Sequence, residues 1–253
     1  MKIVIVNQKG GVGKTTVATN LSYGLSRAGK KTLLIDLDPQ AHSSIIYKAD
    51  IRAEDTIREA FLDRLFNLDK IIFPAAAGEN EIQNLFITPS SIHLAVTAEQ
   101  IASKIHREKI LHNHLNKIKG NYDYILMDCP PTLGVIAINA IYTADLIIIP
   151  TTYGRYSLDG IADLFQSIEE IKEGGNCEFV ILRNSFEARN KNTNEFIDNQ
   201  LDGLKKNLLN TIIRKSESIN QAQINSEPIF IFDPKSHGAH DFQVLTEEII
   251  KYV

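Results

Sequence analysis

The sequence predicts a doubly wound α/β fold, with a mostly parallel sheet and helices on both faces. Three observations carry that expectation: strand-like runs that are apolar throughout, helical spacings that alternate with them, and a glycine-rich turn after the first run. Residues 2–6 form that first run, and residues 15–29 follow with helical spacing through Val17, Leu21 and Leu25 and with Gly29 as a stop. Strand-like runs recur at residues 32–35, 123–127, 146–149, 177–182 and 211–213, with a helix near residues 157–172. Residues 49–91 are less regular, with a helix expected over 54–66 and a strand near 85–88. Ile101, Ile105, Leu111, Leu115 and Ile118 then predict one long helix over residues 98–118. The sum is a single domain over residues 1–253 with roughly seven strands.

Composition narrows the function classes. The chain is 43% hydrophobic and 23% charged, with no low-complexity tract to mark a linker. Cys129 and Cys177 have no CxxC spacing, which points to a reducing compartment and against structural zinc. His112 and His114 stand two apart on a predicted helix and point different ways, so they make no metal pair. The most apolar stretch, residues 133–150, is broken by Asn139, Thr143 and Asp145 and is no membrane span. The amino-terminal run reads as a buried strand and not as a targeting signal, and a cytoplasmic location is expected. A net charge of -4 confines any nucleic-acid contact to a local patch. Between residues 183 and 215 seven basic residues stand against four acidic ones, and Arg189, Lys205, Lys206, Arg214 and Lys215 are the candidate contacts to DNA phosphates.

The strongest chemical signal is Lys9-Gly10-Gly11-Val12-Gly13-Lys14-Thr15-Thr16, between a predicted strand and a predicted helix. Glycines let backbone N–H groups wrap phosphates, Lys14 brings a cation to the β and γ oxygens, Thr15 can ligate Mg²⁺, and the helix dipole favours the anion. The hydroxyl and N–H of Thr16 are expected near the α-phosphate. Asp36 and Asp38 lie at the end of the second strand, where a parallel sheet opens its ligand crevice. Asp128 ends an apolar strand, which is how an acid is presented to Mg²⁺, usually through water. Cys129 beside it reads as a small packing residue.

The loop departs from the strict P-loop pattern, with Gln8 where glycine is asked for. Lys9 with its glycines resembles the deviant Walker A loop of the ParA, MinD and nitrogenase iron-protein superfamily. That resemblance implies a P-loop NTPase fold, with Lys9 reaching across a dimer interface to the partner's nucleotide. Asp36-Leu37-Asp38-Pro39-Gln40-Ala41 resembles the family's DxDPQ segment, Asp128-Cys129-Pro130-Pro131-Thr132-Leu133-Gly134 its switch II, and Asp233-Pro234-Lys235-Ser236-His237-Gly238-Ala239 the ParA carboxy-terminal run. The chain is similar to a short, Soj-like ParA over nearly its full length.

By that resemblance Asp38 orients the attacking water and Asp36 supports its loop, so Lys9, Lys14 and Asp38 form the catalytic set. Residues Lys9, Gly10, Gly11, Val12, Gly13, Lys14, Thr15 and Thr16 bind the nucleotide, and Asn184 is the candidate adenine contact. Asn190-Lys191-Asn192-Thr193 lacks the acid that guanine recognition needs, which favours ATP. The resemblance further implies an ATP-driven homodimer, a ParB-like partner that stimulates slow hydrolysis, non-specific DNA binding on the nucleoid, and segregation of plasmid or chromosome DNA. Since the sequence begins at the first strand, the amino-terminal helix-turn-helix extension of some plasmid ParA proteins is expected to be absent. Gly154 and Arg155 stand where many relatives carry glutamate at the interface. A ParA-like positioner of non-DNA cargo is the alternative. A MinD-like membrane ATPase is disfavoured by the acidic residues 245–253, and an iron–sulfur reductase by the lack of paired cysteines.

Overall fold

The structure is a computed structural model describing residues 1–48, 50–153, 161–172 and 178–252. Gly154, Arg155, Cys177 and the start of the helix expected from residue 157 lie outside them. Among these residues eight strands form one sheet: β1 (Lys2–Ile5), β2 (Thr32–Asp36), β3 (Phe73–Ala77), β4 (Asn80–Thr88), β5 (Tyr124–Asp128), β6 (Leu146–Thr152), β7 (Glu178–Phe186) and β8 (Leu208–Arg214). Their spatial order is β3-β4-β2-β5-β1-β6-β7-β8, and every pairing is parallel except β3 with β4.

Side chains alternate across the sheet, and both faces of its centre are buried, which is why β1, β2, β5 and β6 are mostly apolar. Ile3, Ile5, Leu34, Leu126 and Ile148 face one core, while Val4, Leu33, Ile35, Met127 and Ile147 face the other. The helices follow in chain order as α1 (Lys14–Arg27), α2 (His42–Tyr47), α3 (Arg58–Leu62), α4 (His93–Ile101), α5 (Ile110–Leu115), α6 (Val135–Thr143), α7 (Ile161–Ile171), α8 (Lys191–Gln200), α9 (Glu217–Ile224), α10 (Ile229–Phe232) and α11 (His237–Tyr252). The first core takes α1, α2 and α9 to α11; the second takes α3 to α7. Helix α11 starts where the segment 233–239 supplies its cap: Ser236 Oγ accepts from the Ala239 N–H at 3.1 Å.

The sheet edges are guarded. Pro74 interrupts donors on β3. On β8 the Asn210 and Thr211 N–H groups donate to the Glu248 carboxylate at 2.7 and 2.8 Å, and the Arg214 N–H donates to Asp241 Oδ2 at 2.9 Å. Both acids belong to α11.

Three expectations are corrected. Among the described residues the sheet has eight strands where roughly seven were expected, because Phe73–Ala77 is built largely of proline and alanine and carries no β-branched signal. The helix expected over 54–66 is a 3₁₀ turn at Ala53–Asp55 followed by the short α3. The long helix over 98–118 is broken: α4 stops at Ile101, His106 adopts φ 55°, and the chain restarts as α5. Ile105, one of the spaced apolar positions, is 76% exposed, so no burial drives the continuous helix. The restart is fixed by buried Asn139 on α6, which donates to Arg107 O at 2.6 Å and accepts from Leu111 N at 3.0 Å. Among the described residues no helix is long and apolar enough to cross a membrane.

Candidate functional site

The strand order reverses at β1, which pairs with β5 on one side and β6 on the other, so a crevice opens beyond its carboxyl end. The loop after β1 fills the floor of that crevice. Asn7 anchors it by donating to Pro150 O at 2.8 Å and accepting from the Lys9 N–H at 2.9 Å. Gly11 and Gly13 take φ 73° and 91°, and a Cβ on Gly13 would lie 2.3 Å from Asn184 Nδ2. Glycine is required there on both counts. Gly13 hands the chain to α1, whose first N–H groups face the crevice.

Lys14 is buried, and its Nζ donates to Lys9 O at 3.0 Å. Burial lowers its pKa, while the charges of Asp128 and Asp38 oppose that shift. A desolvated cation with one neutral acceptor is a receptor for an anion. Lys9 is half-buried on the same loop.

Asp36 and Asp128 end neighbouring strands in register, and both are fully buried. Asp36 accepts from Asp38 N at 3.0 Å, Ser44 N at 2.8 Å and Ser44 Oγ at 2.6 Å. It thereby sets the loop that carries Asp38, and Ser44 Oγ in turn accepts from Ser90 N at 2.9 Å. Asp128 Oδ2 accepts from Ser43 Oγ at 2.7 Å, and its Oδ1 has no hydrogen-bond partner. Burial raises both carboxyls well above the usual range, and the charge of Asp128 raises Asp36 further; the Ser43 and Thr15 hydroxyls pull Asp128 back down. Asp38 is half-buried at the rim, where its Oδ1 accepts from Gln40 N at 2.9 Å.

An orphaned carboxylate oxygen close to the Thr15 hydroxyl fits a hard divalent cation. Among the described residues no group of three His, Cys, Asp or Glu side chains could hold a metal by itself, so a cation there would need further ligands from water or from a bound anion. The Cys129 thiol is buried and pushed well up, in keeping with packing alone.

A cleft of about 330 Å³ opens here, lined on one side by Gly10, Gly11, Gly13, Lys14, Thr15, Thr16 and Asp38, while Asp36 and Asp128 are fully buried at the strand ends. Its far wall comes from the end of β7 with Asn184 and Ser185, the end of β8 with Arg214, Lys215 and Ser216, and α9 with Ile219, Asn220 and Gln223. Asn184, expected at the adenine, has its amide committed to the protein: Nδ2 donates to Val12 O at 2.7 Å and Oδ1 accepts from Ser185 N at 2.9 Å. As placed, it braces the loop. Sequence reasoning missed Ser43, Ser44 and Gln223, whose amide donates to Thr16 Oγ1. Serine and glutamine carry no spacing signal, and these contacts join residues far apart in the chain. The basic candidates near residues 183–215 are largely paired: Arg189 and Lys215 with Glu187, both at 2.7 Å, Lys205 with Asp202, and Arg214 with Asp241 at 2.5 Å. Lys206 is exposed.

The model of a family described as an AAA domain matches residues 1–181. The sporulation initiation inhibitor protein Soj of Bacillus subtilis is 32% identical over 253 residues, covering 98% of this chain and 97% of its own length. The chain belongs to the ParA/Soj family of partition ATPases. The chromosome partitioning protein ParA of Myxococcus xanthus is 33% identical, with 98% and 87% covered. A putative plasmid partition protein of Borrelia burgdorferi, solved bound to AMPPNP, superposes with a TM-score of 0.82 at 27% identity, covering 100% of this chain and 99% of its own. All four segments that resemble ParA thus sit within a ParA-family fold, and three of them, Lys9–Thr16, Asp36–Ala41 and Asp128–Gly134, converge on the cleft.

Proposed function

We propose that the chain binds ATP with Mg²⁺ in this cleft, dimerises around the nucleotide and hydrolyses it slowly, as the timed switch of a DNA segregation system with a ParB-like partner. The observation that carries the reading is the convergence of buried Lys14, Thr15 and rim residue Asp38 on one glycine-walled cleft, with Asp128, its Oδ1 orphaned, buried beside Thr15 and Lys14. Lys14 and the N–H groups at the start of α1 hold the β and γ phosphates, and Thr16 lies by the α-phosphate. Thr15 and, through water, Asp128 would hold Mg²⁺, which would supply charge neutralisation on the phosphates. Asp38 orients the attacking water, and Asp36 and Ser44 fix the loop that presents it. Lys9 reaches to the partner subunit's phosphates. Among the described residues no arginine lines the phosphate side of the cleft, so turnover is slow until a partner completes the site.

The ATP dimer binds duplex DNA without sequence preference, and it localises to the nucleoid. Two subunits double the phosphates that Arg189, Lys205, Lys206 and Lys215 neutralise, and phosphate contacts carry no base information. The test is Asp38→Ala with ATP. Light scattering should report a dimer that forms with ATP and not with ADP, and random and specific duplexes should be retained alike at low salt. A monomer under those conditions overturns the switch; a dimer without DNA retention moves the reading to a positioner of non-DNA cargo.

A further inference from the structure

Arg214 ends β8 on the far wall of the cleft, and its guanidinium is fixed from behind by Asp241 of α11. Nε donates to Oδ1 at 3.1 Å and Oδ2 at 3.0 Å, Nη2 donates to Oδ1 at 2.5 Å, and the Arg214 backbone N–H donates to Oδ2 at 2.9 Å. The Asp241 side chain is 7% exposed and that of Arg214 41%, so the carboxylate is the buried member and the guanidinium keeps an open side. A planar fork held along one edge by a buried carboxylate loses most of its rotational freedom and keeps its remaining donors and its flat face for a ligand. Lysine in that place would offer neither.

The position along the cleft follows from Gln223. Its amide reaches the hydroxyl of Thr16, the residue at the α-phosphate end of the loop, so the wall formed by Arg214, Ile219, Asn220 and Gln223 lies past the phosphates. A guanidinium there meets ribose hydroxyls or the ring of a base, for which its donors and its face are both suited. We propose that Arg214 is a nucleotide-contact residue at the sugar and base end of the cleft, and that Asp241 is its positioning residue. This rests on the ATP reading above. It also takes Arg214 out of the set of DNA contacts and gives the carboxy-terminal helix a direct bearing on nucleotide affinity.

The experiment measures ADP dissociation constants and steady-state ATP hydrolysis for the wild type, Arg214→Ala, Arg214→Gln, Asp241→Asn and the Arg214→Ala/Asp241→Asn pair. Both Arg214 variants should raise KM for ATP and Kd for ADP about ten-fold, the loss expected for one charge-assisted contact, with kcat changed less than about two-fold. Asp241→Asn should raise Kd in the same direction, and the double variant should bind no worse than Arg214→Ala. Thermal midpoints without nucleotide separate contact from scaffold: affinity should fall in Arg214→Gln without a matching fall in midpoint. Unchanged Kd in both Arg214 variants, a loss of kcat at unchanged KM, or an affinity loss that tracks the midpoint would overturn the proposal. Failure of the wild type to bind ATP or ADP is a different result and sinks the nucleotide reading itself.

Discussion

The two walls of the cleft are made in opposite ways. The phosphate wall is a continuous run, residues 9–16, shaped by the left-handed backbone of two glycines and by the start of one helix. The far wall is assembled from the ends of β7 and β8 and from α9, and it is held by acids and amides on other elements: Asp241 behind Arg214, Asp233 accepting from Ser218 Oγ at 2.9 Å, and Asn20 accepting from Ile229 N at 2.8 Å. A wall built from local backbone conformation is fixed by residue type, so its chemistry can be read from a short string of letters. A wall built from tertiary contacts is fixed by partners, and a substitution far away can move it.

That contrast sets the order of expected effects. Lys14→Ala removes the one buried cation of the phosphate wall and should weaken ATP binding on the order of 100-fold in calorimetry, the scale of a charged hydrogen bond to phosphate. Retained affinity would mean that the far wall does the binding. Asp38→Ala sharpens the division within the same wall: ATP affinity should hold while phosphate release drops by about 100-fold, as for a lost water-orienting group. Gly13→Ala tests whether backbone conformation is the cause. A φ of 91° and the 2.3 Å approach of Asn184 Nδ2 should together cost about 2 kcal/mol in urea unfolding of the protein without nucleotide. An unchanged midpoint would show that the loop relaxes.

The most gradual effect, spread over several pH units, concerns the buried acids where the walls meet the sheet. Asp36 and Asp128 are raised by burial, so the folded state holds protons that the unfolded chain has already released above pH about 4. Folded pKa values above the unfolded ones mean that stability is fullest in mild acid and declines as pH rises toward and past neutrality, by at most about 1.4 kcal/mol per pH unit for each proton. Midpoints of the protein without nucleotide should therefore fall between pH 5 and pH 8, and Asp36→Asn should flatten the slope. A slope of opposite sign would show that both carboxylates are ionised and compensated throughout.

The same contrast explains what the sequence disclosed. The doubly wound fold was legible because both faces of the sheet's centre are buried, so β1, β2, β5 and β6 are apolar along most of their length and do not read as amphipathic helices. The phosphate loop, Asp38 and Asp128 were legible because they follow strands at the carboxyl edge. The β3 strand was not, since Pro74 and its alanines carry no strand preference and depend on β4 for their conformation. The broken helix at residues 102–109 was not, because the break is imposed by Asn139, 28 residues beyond Leu111. Arg214 was read as a surface charge. Only its pairing with Asp241, 27 residues away, turns it toward the cleft.

The carboxylates of α11 that cap β8 carry a consequence for handling the protein. An edge strand with unmet N–H groups is a template for another chain's strand. Glu248 and Asp241 satisfy those donors with acceptor-only groups, which offer an incoming strand negative charge where it would look for N–H groups. The last helix is therefore also a cover against fibre-like stacking, and a chain cut before His237 would lose it. Such a truncated protein, which also loses Phe242, Leu245 and Ile249 from the first core, should precipitate at concentrations where the whole chain stays in solution.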